Sequence, residues 1–296
     1  MGTSVKTLSR FMSLHQRDLL KSGASMMELG AQQLFCTAPE HVRAFIEYFS
    51  SKDPALKQAA LYTQAELEKC AHNGLLGPLM IACGFEYRAL DIFEAENTIL
   101  FDLNIHTPPD ELCNRFDLVT NFGTTEHVLN QLGSMKTMHE LTKPGGLMYH
   151  DLPLTGYHNH GYFSYNPLLF KQLADANQYK IIFQHYSKGG APTPTPGFMV
   201  ENGYPDSGYF DYGIEFILQK TSLAPFRMPL ETSTSLGLSK TLWGDASPYG
   251  DNDFSNQSGS APSILMSLAQ VSGWDLQREL FRRYRRKAAR LMNLRR

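Results

Sequence analysis

Short apolar runs alternate with amphipathic segments along most of the chain. Residues 3–22 repeat apolar side chains such as Val5, Leu8 and Phe11 at helical spacing, which predicts an N-terminal helix. Further helical patterns span residues 39–72, 126–142 and 167–177. Apolar runs that predict strands span residues 25–29, 87–92, 98–103, 116–121, 147–152, 180–185 and 209–220.

Strands that alternate with helices are typical of parallel β-α-β units. We therefore predict an α/β fold on a seven-stranded, mostly parallel sheet flanked by helices, with one antiparallel strand near its end. The long interval after the first strand predicts a helical insertion there, and the proline- and glycine-rich residues 188–208 predict a loop. The predicted parts are an N-terminal helix (1–22), the sheet domain (23–220), an irregular wrap-around segment (221–262) and a basic C-terminal helical extension (263–296).

Composition places the chain among globular proteins, with 42% hydrophobic and 19% charged residues. No apolar run approaches the roughly 18 residues that a membrane span needs. The N-terminus lacks the apolar core and cleavage site of a secretory signal. We therefore expect a cytoplasmic protein without a membrane span.

Charge is unevenly distributed, although the net charge is only −2. Residues 274–296 hold nine of the 27 basic residues but only two of the 29 acidic ones. A basic tail on an acidic body indicates either an anionic partner, such as nucleic acid, or self-association into an oligomer.

Glycine and hydrogen-bonding side chains follow the predicted strands at their carboxyl ends, where parallel sheets bind ligands. Gly30 lets backbone N–H groups approach a ligand closely, or it forms a plain turn. Asp91 suits a ribose diol, because a carboxylate accepts hydrogen bonds from both hydroxyls, or it caps a helix. Asp102 suits the exocyclic amine of adenine, and Phe93 or Phe122 can pack against the ring.

A longer motif carries a family resemblance. The stretch FDLVTNFGTTEHV (116–128), followed by a helix that ends in LTKPGGL (141–147), resembles class I S-adenosylmethionine-dependent methyltransferases. MELGA (27–31) resembles the first motif of that family, and YRALDI (87–92) resembles the second. The resemblance covers about residues 23–220. It implies a Rossmann-like fold, S-adenosylmethionine as cofactor and methyl transfer as the reaction.

The resemblance also implies a cofactor site. Residues after the first strand would line the methionine side, Asp91 would hold the ribose, residues after the third strand would border the adenine, and residues after the fourth would lie beside the sulfonium. The implied cofactor-binding residues are Glu28, Gly30, Ala31, Asp91, Ile92, Asp102, Leu103, Asn121, Phe122, Gly123 and Glu126.

Two features depart from the family pattern. The first motif usually contains two or three glycines, whereas here Gly30 is followed by Ala31, Gln32 and Gln33. The interval from Gly30 to Tyr87 also exceeds what one helix requires, which predicts an extra helix or a lid. Both features leave room for weakened cofactor binding or a repositioned site.

The segment after the fifth sheet strand concentrates histidines and aromatic side chains, and in the resembled family it faces the acceptor. His160 or His158 is the predicted general base, because imidazole is close to neutral at cellular pH. The predicted acceptor-binding residues are His150, Asp151, Tyr157, Asn159 and Tyr162. The histidines could instead hydrogen-bond to backbone or bind a divalent metal, but their spacing fits no specific metal site and we predict none.

We expect methyl transfer from S-adenosylmethionine to an oxygen or nitrogen of a small-molecule acceptor, sugar-like or aromatic. The aromatic rather than basic character of the post-strand loop favours such an acceptor. Two alternatives stay open at this point. One is an RNA or protein methyltransferase that uses the basic C-terminal tail, and the other is a non-catalytic binding protein of the same fold.

Overall fold

The computed structural model describes residues 2–35, 38–52 and 63–230. The strands in these ranges are β1 (Thr3–Ser4), β2 (Ser25–Leu29), β3 (Gln33–Phe35), β4 (His72–Leu75), β5 (Glu86–Asp91), β6 (Thr98–Leu100), β7 (Phe116–Phe122), β8 (Thr142–Thr155), β9 (Lys180–Lys188) and β10 (Tyr212–Gln219). The helices are α1 (Val5–Gln16), α2 (Pro39–Lys52), α3 (Gln64–Ala71), α4 (Leu76–Ala82), α5 (Gln131–Leu141), α6 (Pro167–Asn177) and α7 (Gly197–Glu201).

Seven strands form the main sheet in the order β6-β5-β2-β7-β8-β10-β9. The first five of these pair in parallel, and β10 runs antiparallel to both β8 and β9. The predicted seven-stranded, mostly parallel Rossmann-like sheet is therefore confirmed, including its antiparallel strand. Strand order reverses between β2 and β7, so a crevice is expected at their carboxyl ends.

Apolar side chains cover both faces of the sheet. On one face, Phe11 of α1 packs against Phe122 and Tyr149, with ring centroids 6.1 Å away in each case. On the other face, Phe170 of α6 stacks on Phe216 with centroids 4.9 Å apart. Most residues of β7 and β10 are buried, because both faces of the sheet are covered.

The N-terminal helix is shorter than the predicted 3–22. Thr3 and Ser4 are extended because they pair in parallel with Leu34 and Phe35 of β3. The helix ends at Gln16, since Asp18 adopts a left-handed φ of 62° and the chain turns back. The helical spacing of apolar residues predicts neither the strand pairing nor this turn.

The insertion between β2 and β5 is not one helical stretch over 39–72. It contains α2, α3 and α4 together with β3 and β4, and these two strands join β1 in a second, three-stranded sheet. A capping box opens α3: Thr63 Oγ1 accepts from the Glu66 amide, and Glu66 Oε2 accepts from the Thr63 amide. The second sheet was not predicted, because strands of two to four residues carry no periodic signal.

Further boundaries differ from prediction: β6 ends at Leu100 and not at 103, β9 extends to Lys188, and β10 spans Tyr212–Gln219 and not 209–220. The helix predicted over 126–142 begins at Gln131, because Asn130 caps it by accepting from the Gly133 amide at 2.9 Å. Strand β8 extends beyond 147–152 at both ends, since β7 and β10 flank it over most of its length. The loop predicted over 188–208 includes the short helix α7.

Residues 221–230 form neither helix nor strand, whereas the rest of the predicted wrap-around segment and the basic tail (263–296) lie outside the described residues. Within the described ranges, no helix combines the length and the apolar character needed to cross a membrane.

We expect Phe11→Ala to lower the free energy of unfolding by about 3–5 kcal/mol, because a fully buried ring is lost from the α1–sheet interface. Urea denaturation would measure the change. Phe198→Ala is the matched control, since this ring is 54% exposed and its loss should cost less than about 0.5 kcal/mol. Equal losses in the two variants would contradict the role of Phe11.

Candidate active site

The turns that follow β2 and β7 are bonded to each other. Gly30 has a φ of 74°, and its amide donates to the Leu90 carbonyl at 2.7 Å. The Thr124 hydroxyl donates to the Leu29 carbonyl and accepts from Gln32 Nε2. A Cβ on Gly30 would lie 2.6 Å from Thr124 Oγ1, so only glycine fits this turn.

Asp91 ends β5 beside this turn. Its Oδ2 accepts from the Ala31 amide at 2.8 Å, and its Oδ1 accepts from the Phe93 amide at 3.0 Å. Each carboxylate oxygen keeps a second acceptor site, which suits a diol. Ile92 and Phe93 are 61% and 73% exposed, so apolar surface is available next to the carboxylate. No helix follows β5, so Asp91 does not cap one.

Asp102 and its neighbours border the same edge. Asp102 Oδ1 accepts from the backbone and side-chain nitrogens of Asn104, at 2.8 and 3.0 Å. Asn104 Oδ1 in turn accepts from the Leu129 and Asn130 amides, which ties this segment to the one that precedes α5. Leu103 is buried in the core, so only its backbone can contribute to a site.

Glu28 lies beneath the β2 turn and is fully buried. Its Oε2 accepts from the Tyr87 hydroxyl at 2.5 Å and from the Gln32 amide at 3.1 Å. Burial raises the pKa of the Glu28 carboxyl to about 8, so it is protonated at neutral pH. The Glu28 side chain thus stabilises the turn after β2 through its hydrogen bond with the Gln32 amide.

Asn121 and His150 form a buried polar pair at the ends of β7 and β8. Asn121 Nδ2 donates to the Thr125 hydroxyl, and Asn121 Oδ1 accepts from the Thr125 amide. Asn121 Nδ2 also lies 3.3 Å from His150 Nδ1. Burial lowers the pKa of His150 to about 3, so its imidazole is neutral. With Gly123 at a φ of 75°, these contacts shape the turn that carries residues 125–127.

Glu126 is the centre of a second cluster. Its carboxylate is fully buried, and burial raises its pKa to about 7. His160 Nε2 and His127 Nε2 lie 3.8 and 3.9 Å from Glu126 Oε1. The Glu126 carbonyl accepts from the Tyr162 and Phe163 amides, so the loop after β8 folds back on this turn. We call Glu126, His127 and His160 the Glu126 cluster.

A polar cavity of about 260 Å³, the edge cavity, opens between the small sheet and the carboxyl ends of β7 and β8. Its lining consists of Gly2, Ser4, Lys6, Phe35, Phe122, Asp151, Tyr157, Ser187, Gly213 and Glu215. The insertion and the N-terminal segment thus supply part of its wall. Three of the predicted site residues therefore meet in one cavity.

Two carboxyl groups face each other in the edge cavity, because Asp151 of β8 pairs directly with Glu215 of β10. Burial, reinforced by the Glu215 carboxylate, raises the pKa of Asp151 to about 7, against the opposing charge of Lys6. Glu215 accepts from the Tyr149 hydroxyl at 2.9 Å, and Arg10 Nε lies 3.6 Å from it. The strand register that places Asp151 opposite Glu215 cannot be read from the spacing of residues in the sequence.

The remaining predicted acceptor residues are dispersed. His158 packs against Tyr209 with ring centroids 4.2 Å apart, and its Nε2 lies 3.3 Å from the Tyr204 hydroxyl. Asn159 is exposed with a φ of 61°, and Tyr162 is 74% exposed. Neither His158 nor His160 lines the edge cavity.

Residues 36–188 match the sequence model of a methyltransferase domain. The chain belongs to this methyltransferase family. The strand order and the reversal at β2 and β7 agree with the class I arrangement. The methyl donor of the family is S-adenosylmethionine, which is the cofactor of this methyltransferase. No curated protein matches the chain significantly.

Several solved structures are similar in fold. A Burkholderia thailandensis 1,6-didemethyltoxoflavin-N1-methyltransferase with bound S-adenosylhomocysteine has 12% identity and a TM-score of 0.38, over 74% of this chain and 78% of that one. An S-adenosylmethionine-dependent methyltransferase from Archaeoglobus fulgidus has 12% identity and a TM-score of 0.35, over 72% and 94%. A Haemonchus contortus phosphoethanolamine N-methyltransferase has 10% identity and a TM-score of 0.39, over 73% and 53%.

The residues at this edge fit the adenosyl part of the cofactor. Asp91 offers two free acceptor positions for a diol, and exposed apolar side chains adjoin it. The methionine side differs from the family pattern, because Gly30 leads into β3 and the next helix begins only at Pro39. The chain therefore supplies the tight β2 turn and its backbone amides there, without a helix N-terminus directly after the glycine.

We expect Gly30→Ala to be more destabilising than Gly23→Ala, although the two glycines have φ values of 74° and 73°. In both variants, an alanine in the left-handed conformation lowers the free energy of unfolding by about 1–2 kcal/mol. Only Gly30→Ala also places a Cβ against Thr124 and Gln32, which adds about 1–3 kcal/mol, whereas Gly23 has open space around it. Urea denaturation measures both, and equal losses would show that the β2 turn is not tightly packed.

Proposed function

We propose that this methyltransferase transfers the methyl group of S-adenosylmethionine to an oxygen or nitrogen of a small polar molecule bound in the edge cavity. The single observation that carries the proposal is the position of the cavity, bounded by Phe122 at the end of β7 and by Asp151 and Tyr157 on and after β8. Its volume of about 260 Å³ lies just below the roughly 300–1,000 Å³ of pockets for drug-sized ligands. That size favours a small molecule over an RNA or protein acceptor.

The proposed cofactor site follows the carboxyl edge from β6 to β7. Asp91 would hold the ribose, Ile92 and Phe93 would cover the ring, and Asp102 would border it, whereas the turn amides at Gly30 and Ala31 would face the methionine end. When bound, S-adenosylmethionine supplies an electrophilic methyl group. The residues of the chain bind the acceptor, orient it and remove its proton, and alignment alone makes the step effectively unimolecular.

Asp151 is the proposed base. Its carboxyl lines the edge cavity, and a pKa of about 7 leaves it partly ionised at neutral pH while still able to accept a proton. The geometry supports Asp151 better than the histidines expected from sequence, because His158 and His160 lie outside the cavity lining. Tyr157 would then contact the acceptor from the loop after β8.

The assignment of Asp91 predicts that Asp91→Asn weakens S-adenosylmethionine binding by about 1–3 kcal/mol, the scale of a hydrogen bond to a charged group. The amide keeps the shape of the side chain but loses the charge and part of its acceptor capacity. Isothermal titration calorimetry measures the change, with Asp110→Asn as a control at an exposed aspartate. An unchanged affinity would mean that the ribose is held elsewhere.

The assignment of Asp151 predicts that Asp151→Asn lowers kcat/KM about 10²–10⁴-fold and leaves S-adenosylmethionine affinity unchanged. In the wild type, kcat/KM should rise with pH through about 7 and then level off, because only the ionised carboxyl accepts the proton. Formation of S-adenosylhomocysteine on a panel of small hydroxyl and amine compounds provides the assay.

Glu215→Gln is the matched control for this pH profile. Removal of the facing carboxylate should lower the pKa of Asp151, so the midpoint of the profile should move to lower pH. Lys6, which opposes that effect, remains in place, and Glu126 contributes in the same direction as Glu215. A profile that Asp151→Asn leaves intact would remove Asp151 from the role of base.

A further inference from the structure

The Glu126 cluster contains a buried carboxylate that lacks a hydrogen-bond donor. Glu126 has no exposed surface, and neither of its oxygens accepts a hydrogen bond within the described ranges. A buried carboxylate is costly unless a cation or donors compensate it. Every other buried site carboxyl accepts at least one hydrogen bond or belongs to the edge cavity, so this one calls for a separate explanation.

Two imidazole nitrogens face the same carboxylate oxygen. His160 Nε2 and His127 Nε2 lie 3.8 and 3.9 Å from Glu126 Oε1, and one ligand atom from each residue fits within 4.8 Å of the others. A tetrahedral ion with bonds of about 2.0–2.2 Å holds its ligand atoms about 3.4 Å apart. To enter one coordination sphere, the two separations from Glu126 Oε1 would shorten by roughly half an ångström, and the separation between the two imidazole atoms, which is within 4.8 Å, by up to about 1.4 Å.

The fold brings the three ligands together from two separate segments. Glu126 and His127 lie in the turn after β7, and His160 lies in the loop after β8. The Tyr162 amide donates to the Glu126 carbonyl at 2.7 Å, which anchors that loop. A Cβ on Gly161 would lie 3.0 Å from Glu126 Cγ, so the loop approaches closely only with glycine there.

We propose that Glu126, His127 and His160 bind a divalent transition-metal ion, with Zn²⁺ as the ion that fits the ligands best. Two imidazoles and one carboxylate are ligands that zinc accepts readily, whereas Mg²⁺ prefers oxygen ligands alone. The His127 and His160 side chains are 46% and 34% exposed, so the side of the site away from Glu126 is open. Three protein ligands and one open position describe a site that binds a water or a ligand oxygen as well.

The test uses full-length protein without a histidine tag, stripped with a chelator and then titrated with Zn²⁺ or Co²⁺ alone. We expect one ion per chain, and a ligand-field absorption for Co²⁺ that reports imidazole and carboxylate ligation. His127→Ala/His160→Ala and Glu126→Gln should each weaken binding at least about tenfold. His158→Ala, two positions away in the same loop, should bind as the wild type does.

Circular dichroism shows whether each variant is folded, and Glu126→Gln keeps the shape of the side chain should the double variant unfold. Zn²⁺ should raise the melting temperature of the wild type and of His158→Ala but not that of the cluster variants. Wild-type protein that binds no ion, or cluster variants that bind as tightly as the wild type, would overturn the proposal. In that case the two histidines would be polar neighbours of Glu126 and not metal ligands. Because the probe is the metal alone, the outcome is independent of the acceptor proposed above.

Discussion

The junction between the β2 turn and the β7 turn is the constraint on which the site depends. Gly30 adopts a left-handed conformation, and Thr124 closes against it by bonding the Leu29 carbonyl. This contact lies at the point where the strand order reverses, so it sets the spacing of the crevice in which a class I methyltransferase holds its cofactor. Asp91 reaches the same turn through the Ala31 amide. Hydrogen bonds therefore hold together the Asp91 carboxylate, the turn at Gly30 and the turn after β7.

A second principle is the burial of carboxyl groups along the carboxyl edge. Glu28, Glu126 and Asp151 all have raised pKa values because burial penalises the charged form. Their surroundings differ, and so do the roles we assign to them. Glu28 is neutral and holds a turn through hydrogen bonds, Asp151 faces a cavity beside Glu215, and Glu126 faces two imidazoles. Buried carboxyl side chains thus take three different roles, according to the groups that the fold places beside them.

The insertion after β2 replaces the helix that normally follows the glycine turn. Strand β3 leads away from Gly30 and pairs with β1, so the N-terminal segment and the insertion together cover the edge cavity. Phe35 and Ser4 contribute to its wall for this reason. The first motif therefore differs from the family pattern in its glycine content and also in the backbone that follows it. A strand, and not a helix, begins at Gln33.

Local sequence was enough to determine the main sheet, and it also predicted the sheet edge that we propose for the cofactor. The apolar runs fall on β2, β5, β7 and β10, and helix α6 follows its asparagine cap and Pro167 as expected from capping chemistry. Gly30 and Asp91 were predicted as site residues because they lie at the ends of β2 and β5, and strand ends can be read from periodicity. These features depend on residues close together in the chain, where spacing carries the information.

Only the tertiary structure decided which side chains face each other. The pairing of Asp151 with Glu215, the approach of His160 to Glu126 and the β1–β3 contact all join distant segments. Each depends on strand register or on the path of a loop, and a shift of one residue in register would turn a side chain to the opposite face. The spacing of apolar residues within one segment does not show which other segment packs against it. The choice of Asp151 over the loop histidines as the base therefore had to wait for the fold.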